Sequence, residues 1–272
     1  PRIGPEAVQT PFTVQREDGI AIAIHEADLT NYSSMTLKAN GTKNMECDLM
    51  PWSDGIKVKA KGPLNTPWRT IIVGETAAEL PLSTLTLNLN EPNKLDNTDW
   101  IKPGKYIGLW WEMIGTNQST WGSGPHHGAK TERVLEYIDF GAKYGFDGVL
   151  VEGWNTGWDE NWCCTGEGEN FGFYEPHPEF DNELIAEYAW KNAIRIVGHH
   201  ETGTQIANYE EQLDSAFAYC KRNGIRVVKT GYVNDGSQNI KRIDEDGNIQ
   251  KEWHHGQYMV EHFRKVLETA AK

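Results

Sequence analysis

From about residue 105 onward the sequence repeats one theme: a short apolar run, then a stretch at helical spacing, often closed by a glycine. The apolar run at 106–111 is followed by 130–144, where Val134, Leu135, Ile138 and Ala142 share a helix face and Gly145 supplies a helix-ending glycine. A second run, 148–151, leads through a long loop to a helix predicted over 182–191, with Asp181 as its N-cap. A third run, 194–197, precedes a helix marked by Tyr209, Leu213, Ala216, Phe217 and Cys220 and ending at Gly224. Val227 and Val228 open a fourth strand, and 257–271 reads as a further helix. Strands alternating with helices build a parallel sheet, and such sheets carry their chemistry at the carboxyl ends of the strands. Four βα units are half of an eight-stranded barrel, which takes about 250 residues by itself. A half-barrel leaves apolar helix faces and a sheet edge open, so the sequence is expected to be a piece truncated at both ends.

The first hundred residues lack this theme. Asp18-Gly19 is a turn signal, while 20–24 and 69–73 are short apolar runs. Residues 83–89 alternate, with Leu85, Leu87 and Leu89 on one face and Thr84, Thr86 and Asn88 on the other. That pattern predicts a strand with one buried face in an all-β unit. The punctuation changes at Lys102-Pro103-Gly104, which puts a boundary near residue 100. No charged and apolar leader is visible after Pro1, so any signal peptide would lie upstream.

Charge excludes some partners. Lys and Arg number 26 against 39 Asp and Glu, a net −13, which repels nucleic acid phosphates and anionic membrane. No apolar run approaches the ~20 residues of a membrane-spanning helix. The four cysteines (Cys47, Cys163, Cys164 and Cys220) form no CxxC pair and read as loop or half-buried thiols. Nucleophile-elbow, phosphate-loop and dinucleotide motifs are all missing from the sequence.

The four strand ends are rich in polar and aromatic residues: Trp110-Trp111-Glu112-Met113, the stretch from Glu152 and Trp154 to Trp158-Asp159, His199-His200-Glu201-Thr202-Gly203, and Lys229-Thr230-Gly231-Tyr232. Eleven tryptophans, several beside acidic residues, suit a polyhydroxylated ligand, because flat rings cover sugar C–H faces and carboxylates take the hydroxyls. On an extended strand His199 and Glu201 face one way and His200 the other, which weakens a zinc reading of the three. A buried His-Glu pair and a catalytic Glu201 with a substrate-binding His199 both fit. Glu152 fits equally a sugar hydroxyl and the backbone N–H groups of its loop. The glycine-rich, acidic loop 157–172 has no DxDxDG calcium spacing. The Asp244 to Gly247 turn reads as a hairpin tip, and His254-His255 as loop positions.

At these residues the sequence resembles glycoside hydrolase family 97, and most closely its α-glucosidases. The stretches that carry the likeness are 65–73 (NTPWRTIIV), 87–92 (LNLNEP), 105–111 (KYIGLWW), 137–140 (YIDF), 145–155 (GFDGVLVEGWN), 199–202 (HHET) and 228–233 (VKTGYV). The resemblance implies that 1–100 is the C-terminal part of a β-sandwich domain and 101–272 the first half of a (β/α)8 TIM barrel. Retaining members carry an Asp nucleophile where this sequence has Gly231. Inverting members have Gly there and a base corresponding to Glu201, with His199 contacting the sugar. Glu152, Trp154, Trp111 and Gly231 are the other expected substrate-binding positions.

The implied function is an inverting, calcium-dependent α-glucoside hydrolase of the periplasm or secreted space, acting on α-linked gluco-oligosaccharides. The general acid, a second base and most Ca2+ ligands are expected outside this sequence, with no metal ligand within it. Alone, without its acid, the piece is expected to be nearly inactive. A non-catalytic sugar-binding barrel and a retaining α-galactosidase are the alternatives. Linkage specificity and oligomeric state are not encoded legibly.

Overall fold

The computed structural model describes residues 7–40, 44–158, 162, 171–233 and 238–272. Cys163, Cys164, Asp159 and most of the glycine-rich loop lie outside the described residues. The chain divides into two units, 1–96 with 251–267, and 97–250 with 268–272.

The first unit holds β1 (Ala7–Gln9), β2 (Phe12–Gln15), β3 (Ala21–Ala27), β4 (Met35–Asn40), β5 (Asn44–Leu49) and β6 (Trp68–Gly74). They form two three-stranded antiparallel sheets, ordered β1-β4-β5 and β2-β3-β6. Ala21, Ala23, Met35 and Leu37 are buried, while Ile71 and Val73 on β6 are exposed. The buried Glu26 carboxylate pairs with Arg69 and accepts the Met35 N–H at 3.0 Å. Residues 83–89 do not form the expected strand. Leu85–Asn88 is a single helical turn, α1, closed by the Asn88 N–H to Thr84 C=O bond, and Leu87 is exposed. Alternation makes a strand only where a neighbour can take its backbone bonds, and here the turn satisfies them locally.

Most of the last helix, α6 (Gln257–Ala270), belongs to this unit. The Gln257 side chain is buried, and all its polar capacity is used. Its Nε2 donates to Asn31 Oδ1 (2.6 Å) and Lys59 C=O (2.8 Å), and its Oε1 accepts from Trp52 Nε1 (2.9 Å) and Lys59 N–H (2.8 Å).

The second unit is built on a parallel sheet. Its strands are β7 (Tyr106–Gly108), β8 (Gly148–Leu150), β9 (Arg195–Glu201) and β10 (Val227–Gly231), lying side by side in sequence order. Sequential order is that of a βα barrel; a doubly wound sheet reverses direction at a switch point. Helices α3 (Thr131–Tyr144), α4 (Asn182–Lys191) and α5 (Ile206–Arg222) connect successive strands. Val134 and Ile138 of α3 join Val149, Val151, Ile185, Ala189 and Ile194 in one apolar core. Gly145, at φ 70°, ends α3, and the Asp181 carboxylate caps α4 by accepting the Leu184 N–H at 3.0 Å. The strands β11 (Ile240–Ile243) and β12 (Ile249–Glu252) form a two-stranded sheet around the Asp244–Gly247 turn.

The first strand is shorter than the apolar run suggests. It stops at Gly108, and Trp110–Ile114 forms a helical turn, α2. Neighbouring side chains on a helix splay by about 100°. Trp110 therefore packs on Trp121 at 5.4 Å between ring centroids, and Trp111, expected at the substrate, is 73% exposed.

Removing the α4 cap tests the local reading of this unit. Asp181→Ala should lower stability by about 1 kcal/mol in urea unfolding, with an unchanged denaturant slope.

Candidate active site

Register brings the strand-end residues together. In the parallel pairing of β9 with β10, His199 lies beside Lys229 and Glu201 beside Gly231. Glu152 follows β8, whose Leu150 pairs with Val197, so the extrapolated row places Glu152 level with His199. The side chains meet accordingly. Lys229 Nζ donates to Glu152 Oε1 at 2.7 Å, and His199 Nε2 lies 3.8 Å from the same oxygen. Lys229 reaches over the Trp110 ring as well, 5.8 Å from its centroid.

Burial sets the electrostatics. Glu152 has no solvent exposure, which pushes its pKa up, and Lys229 opposes that shift. Glu201 is also raised, first by burial and further by the Glu152 charge, against the two backbone N–H groups that bind it. Those donors, Gly203 (2.9 Å) and Val233 (2.8 Å), both hold Oε1. His199 is held neutral, by burial first and then by the positive Lys229. Glu152 Oε2 and His199 Nδ1 are buried polar atoms with no partner among the described residues. Such atoms are costly to leave unmet, and sugar hydroxyls or ordered water would satisfy them.

Glu201 and Gly231 exclude anything larger between them. A Cβ added at residue 231 would lie 2.0 Å from Glu201 Oε2 and 3.2 Å from His199 Nε2. No side chain fits there while Glu201 keeps its position. The Gly231 carbonyl accepts from both the Thr202 N–H (3.0 Å) and its hydroxyl (2.9 Å), which locks the two strand ends together.

Trp154 is not a pocket residue. Its indole N–H donates to the His199 carbonyl at 2.7 Å, and its ring stacks on Tyr219 in the core. Gly153, at φ 78°, breaks the strand alternation that would have put Trp154 on the Glu152 face. Trp158 takes that place, stacked 5.7 Å from His199, with its N–H donated to Asn155 Oδ1. Trp121 and Trp162 continue the aromatic wall beside it. Sequence reasoning did not single out Lys229, Trp121 or Trp158 as site residues. Counting back two positions from Gly231 would have put Lys229 on the same strand face.

His200 faces the opposite side, as alternation requires. It bonds the Tyr209 hydroxyl at 2.9 Å and packs against Phe173 and Phe217, so the three residues 199–201 cannot share one metal ion. Burial depresses its pKa to about 3. An unfolded histidine takes a proton near pH 6.5. Between those values the unfolded chain binds more protons, so stability falls as pH drops from about 6.5 toward 3. His200→Gln should flatten that fall by up to about 1.4 kcal/mol per pH unit, read from urea unfolding at successive pH values.

Comparison with known proteins adds to this geometry. The family model for glycoside hydrolase 97 matches residues 110–272, and that for the glycosyl-hydrolase 97 N-terminal domain matches 2–92. A solved glycoside hydrolase family 97 enzyme from Pseudoalteromonas sp. strain K8, in complex with acarbose, is similar at TM-score 0.90. It is 49% identical, over 97% of this chain and 39% of that one. A variant of that enzyme in complex with panose aligns equally well. Among curated proteins, a retaining alpha-galactosidase of Bacteroides thetaiotaomicron is 23% identical over 85% of this chain and 35% of its own length. A probable retaining alpha-galactosidase of Streptomyces bingchenggensis is 29% identical over 68% and 26%. The chain thus spans about a third of the first curated relative.

Proposed function

The chain belongs to glycoside hydrolase family 97, and from that premise we propose that the protein hydrolyses α-linked glucosides with inversion at the anomeric carbon. The observation that carries the mechanism is the contact between Glu201 and the bare backbone of Gly231. With Oε2 of Glu201 2.0 Å from any Cβ at 231, an Asp nucleophile at that position would require this carboxylate to move. In this reading the carboxylate acts through water, and inversion needs room for that water.

In this reading Glu201 Oε2 accepts a proton from water. The water oxygen bonds the anomeric carbon as the glycosidic C–O bond breaks. Oε1, held by Gly203 and Val233, keeps the carboxylate aimed. Neutral His199 and the Glu152–Lys229 pair bind sugar hydroxyls, and Trp158 forms part of the wall behind them. The proton for the leaving oxygen comes from a general acid that this reading assigns to a part of the protein outside these residues.

Acarbose and panose, named for the enzyme at 49% identity, favour a glucoside substrate. The curated names point to retaining α-galactosidases, but at 23% and 29% identity, and Gly231 stands against their mechanism. Calcium is implied by the family resemblance. Among the described residues, the one converging group of three ligating side chains is His127, His177 and Glu179. Two imidazoles do not suit calcium, which takes oxygen ligands. No step is therefore assigned to calcium here, and its carboxylate ligands are expected elsewhere.

Hydrolysis of an α-glucoside by the intact protein, followed by proton NMR, tests the proposal. β-Glucose is expected first, and α-glucose first would overturn inversion. No turnover on any α-glycoside would favour the sugar-binding alternative. Glu201→Gln should lower kcat by about 10²–10⁴-fold. Gly231→Ala should lower kcat by at least ~10²-fold, through displacement of Glu201. The acid limb of the kcat/KM profile should lie above the ordinary carboxylate range, because the base must be ionised and its pKa is raised.

A further inference from the structure

His127, His177 and Glu179 come from two separate loops and take no part in the chemistry above. His127 is almost fully buried. Its Nε2 lies 2.9 Å from the Gly153 carbonyl, which can only accept, so Nε2 carries the hydrogen and Nδ1 is left to face inward. Nδ1 lies 3.1 Å from Glu179 Oε2. The His177 ring stands edge-on to His127, 4.3 Å between centroids, with its Nδ1 3.8 Å from the same carboxylate oxygen. His177 Nδ1 also accepts the Glu179 N–H at 3.3 Å.

Three acceptors therefore converge: one nitrogen from each imidazole and one carboxylate oxygen, all within 4.8 Å of one another. A single proton on His127 Nδ1 would satisfy Glu179 Oε2, but only a metal ion would join all three groups.

The surroundings are those of a built site. The Glu179 backbone is fixed by Thr131, whose N–H (3.0 Å) and hydroxyl (2.9 Å) both bind its carbonyl. Lys130 takes the other carboxylate oxygen, Oε1, at 3.0 Å and leaves Oε2 to the cluster. The His127 N–H to carbonyl bond is the arrangement that fixes the tautomer and orientation of a metal-bound imidazole.

We propose that His127, His177 and Glu179 bind a divalent transition-metal ion, with zinc as the best match to two imidazoles and one carboxylate. The ion clips together the loop that carries Trp121 and the loop that follows β8. It fixes the main chain at Gly153, immediately after Glu152, and its role is structural. This inference does not depend on the hydrolase reading.

The test uses the intact protein, stripped with chelator and dialysed, titrated with Zn2+ by calorimetry and with Co2+ by visible absorption. One Zn2+ per chain is expected at micromolar Kd or tighter, uncontested by millimolar Ca2+, with Tm raised by roughly 5 °C at saturating zinc. His177→Ala and Glu179→Gln should each weaken binding by at least tenfold. Glu179→Gln leaves the backbone bonds to Thr131 in place, so its folded state guards against misreading a folding defect. Unchanged zinc affinity in both variants would overturn the site. So would the absence of zinc binding, with histidine 15N shifts showing only a proton on His127.

Discussion

Glu152 is a carboxylate with no solvent exposure, and the Lys229 ammonium is the charge that answers it. Burial favours its protonated form; the Lys229 ammonium at 2.7 Å opposes that. The pair forms because β8, β9 and β10 run parallel and in register, so their ends lie in one row. The same ammonium helps keep His199 neutral, and the Glu152 charge raises Glu201. The ion pair thus adds to what burial does to two neighbours, His199 and Glu201. Removing either partner would leave a buried or half-buried charge with nothing to answer it.

The framework was legible because its signals are local. The α3 stop at Gly145, the α4 cap at Asp181 and the hairpin at Gly247 each depend on residues a few positions apart. The opposed faces of His199 and His200 follow from strand alternation alone. What the sequence hid depends on partners distant along the chain. Lys229 and Glu152 are 77 residues apart, and nothing near either one announces the pair. Residues 83–89 alternate as a strand would, but they pair with no described strand and their backbone bonds close within the turn. In 152–158, the positive φ of Gly153 decides which tryptophan meets His199, and a glycine in a sequence does not declare its φ. Trp110 and Trp111 exchange roles for a similar reason, since a strand and a helical turn aim adjacent residues differently.

Glycine at 231 has a different use from the glycines at turns. Its backbone is extended as part of β10, and its missing side chain is the point: the volume a methyl group would fill belongs to a carboxylate oxygen of the next strand. The imidazole of His199 borders the same gap.

Gln257 closes the β-rich unit with bonds to residues 198 to 226 positions earlier in the chain. As the chain is synthesised, those loops emerge first and wait for their partner. At ordinary elongation rates of about 5–20 residues per second, the wait is roughly 10–40 s, during which β7 to β10 and their helices are made. The unit encoded first thus stays open until α6 is made, and its exposed β6 edge is the stretch in most need of protection on the ribosome.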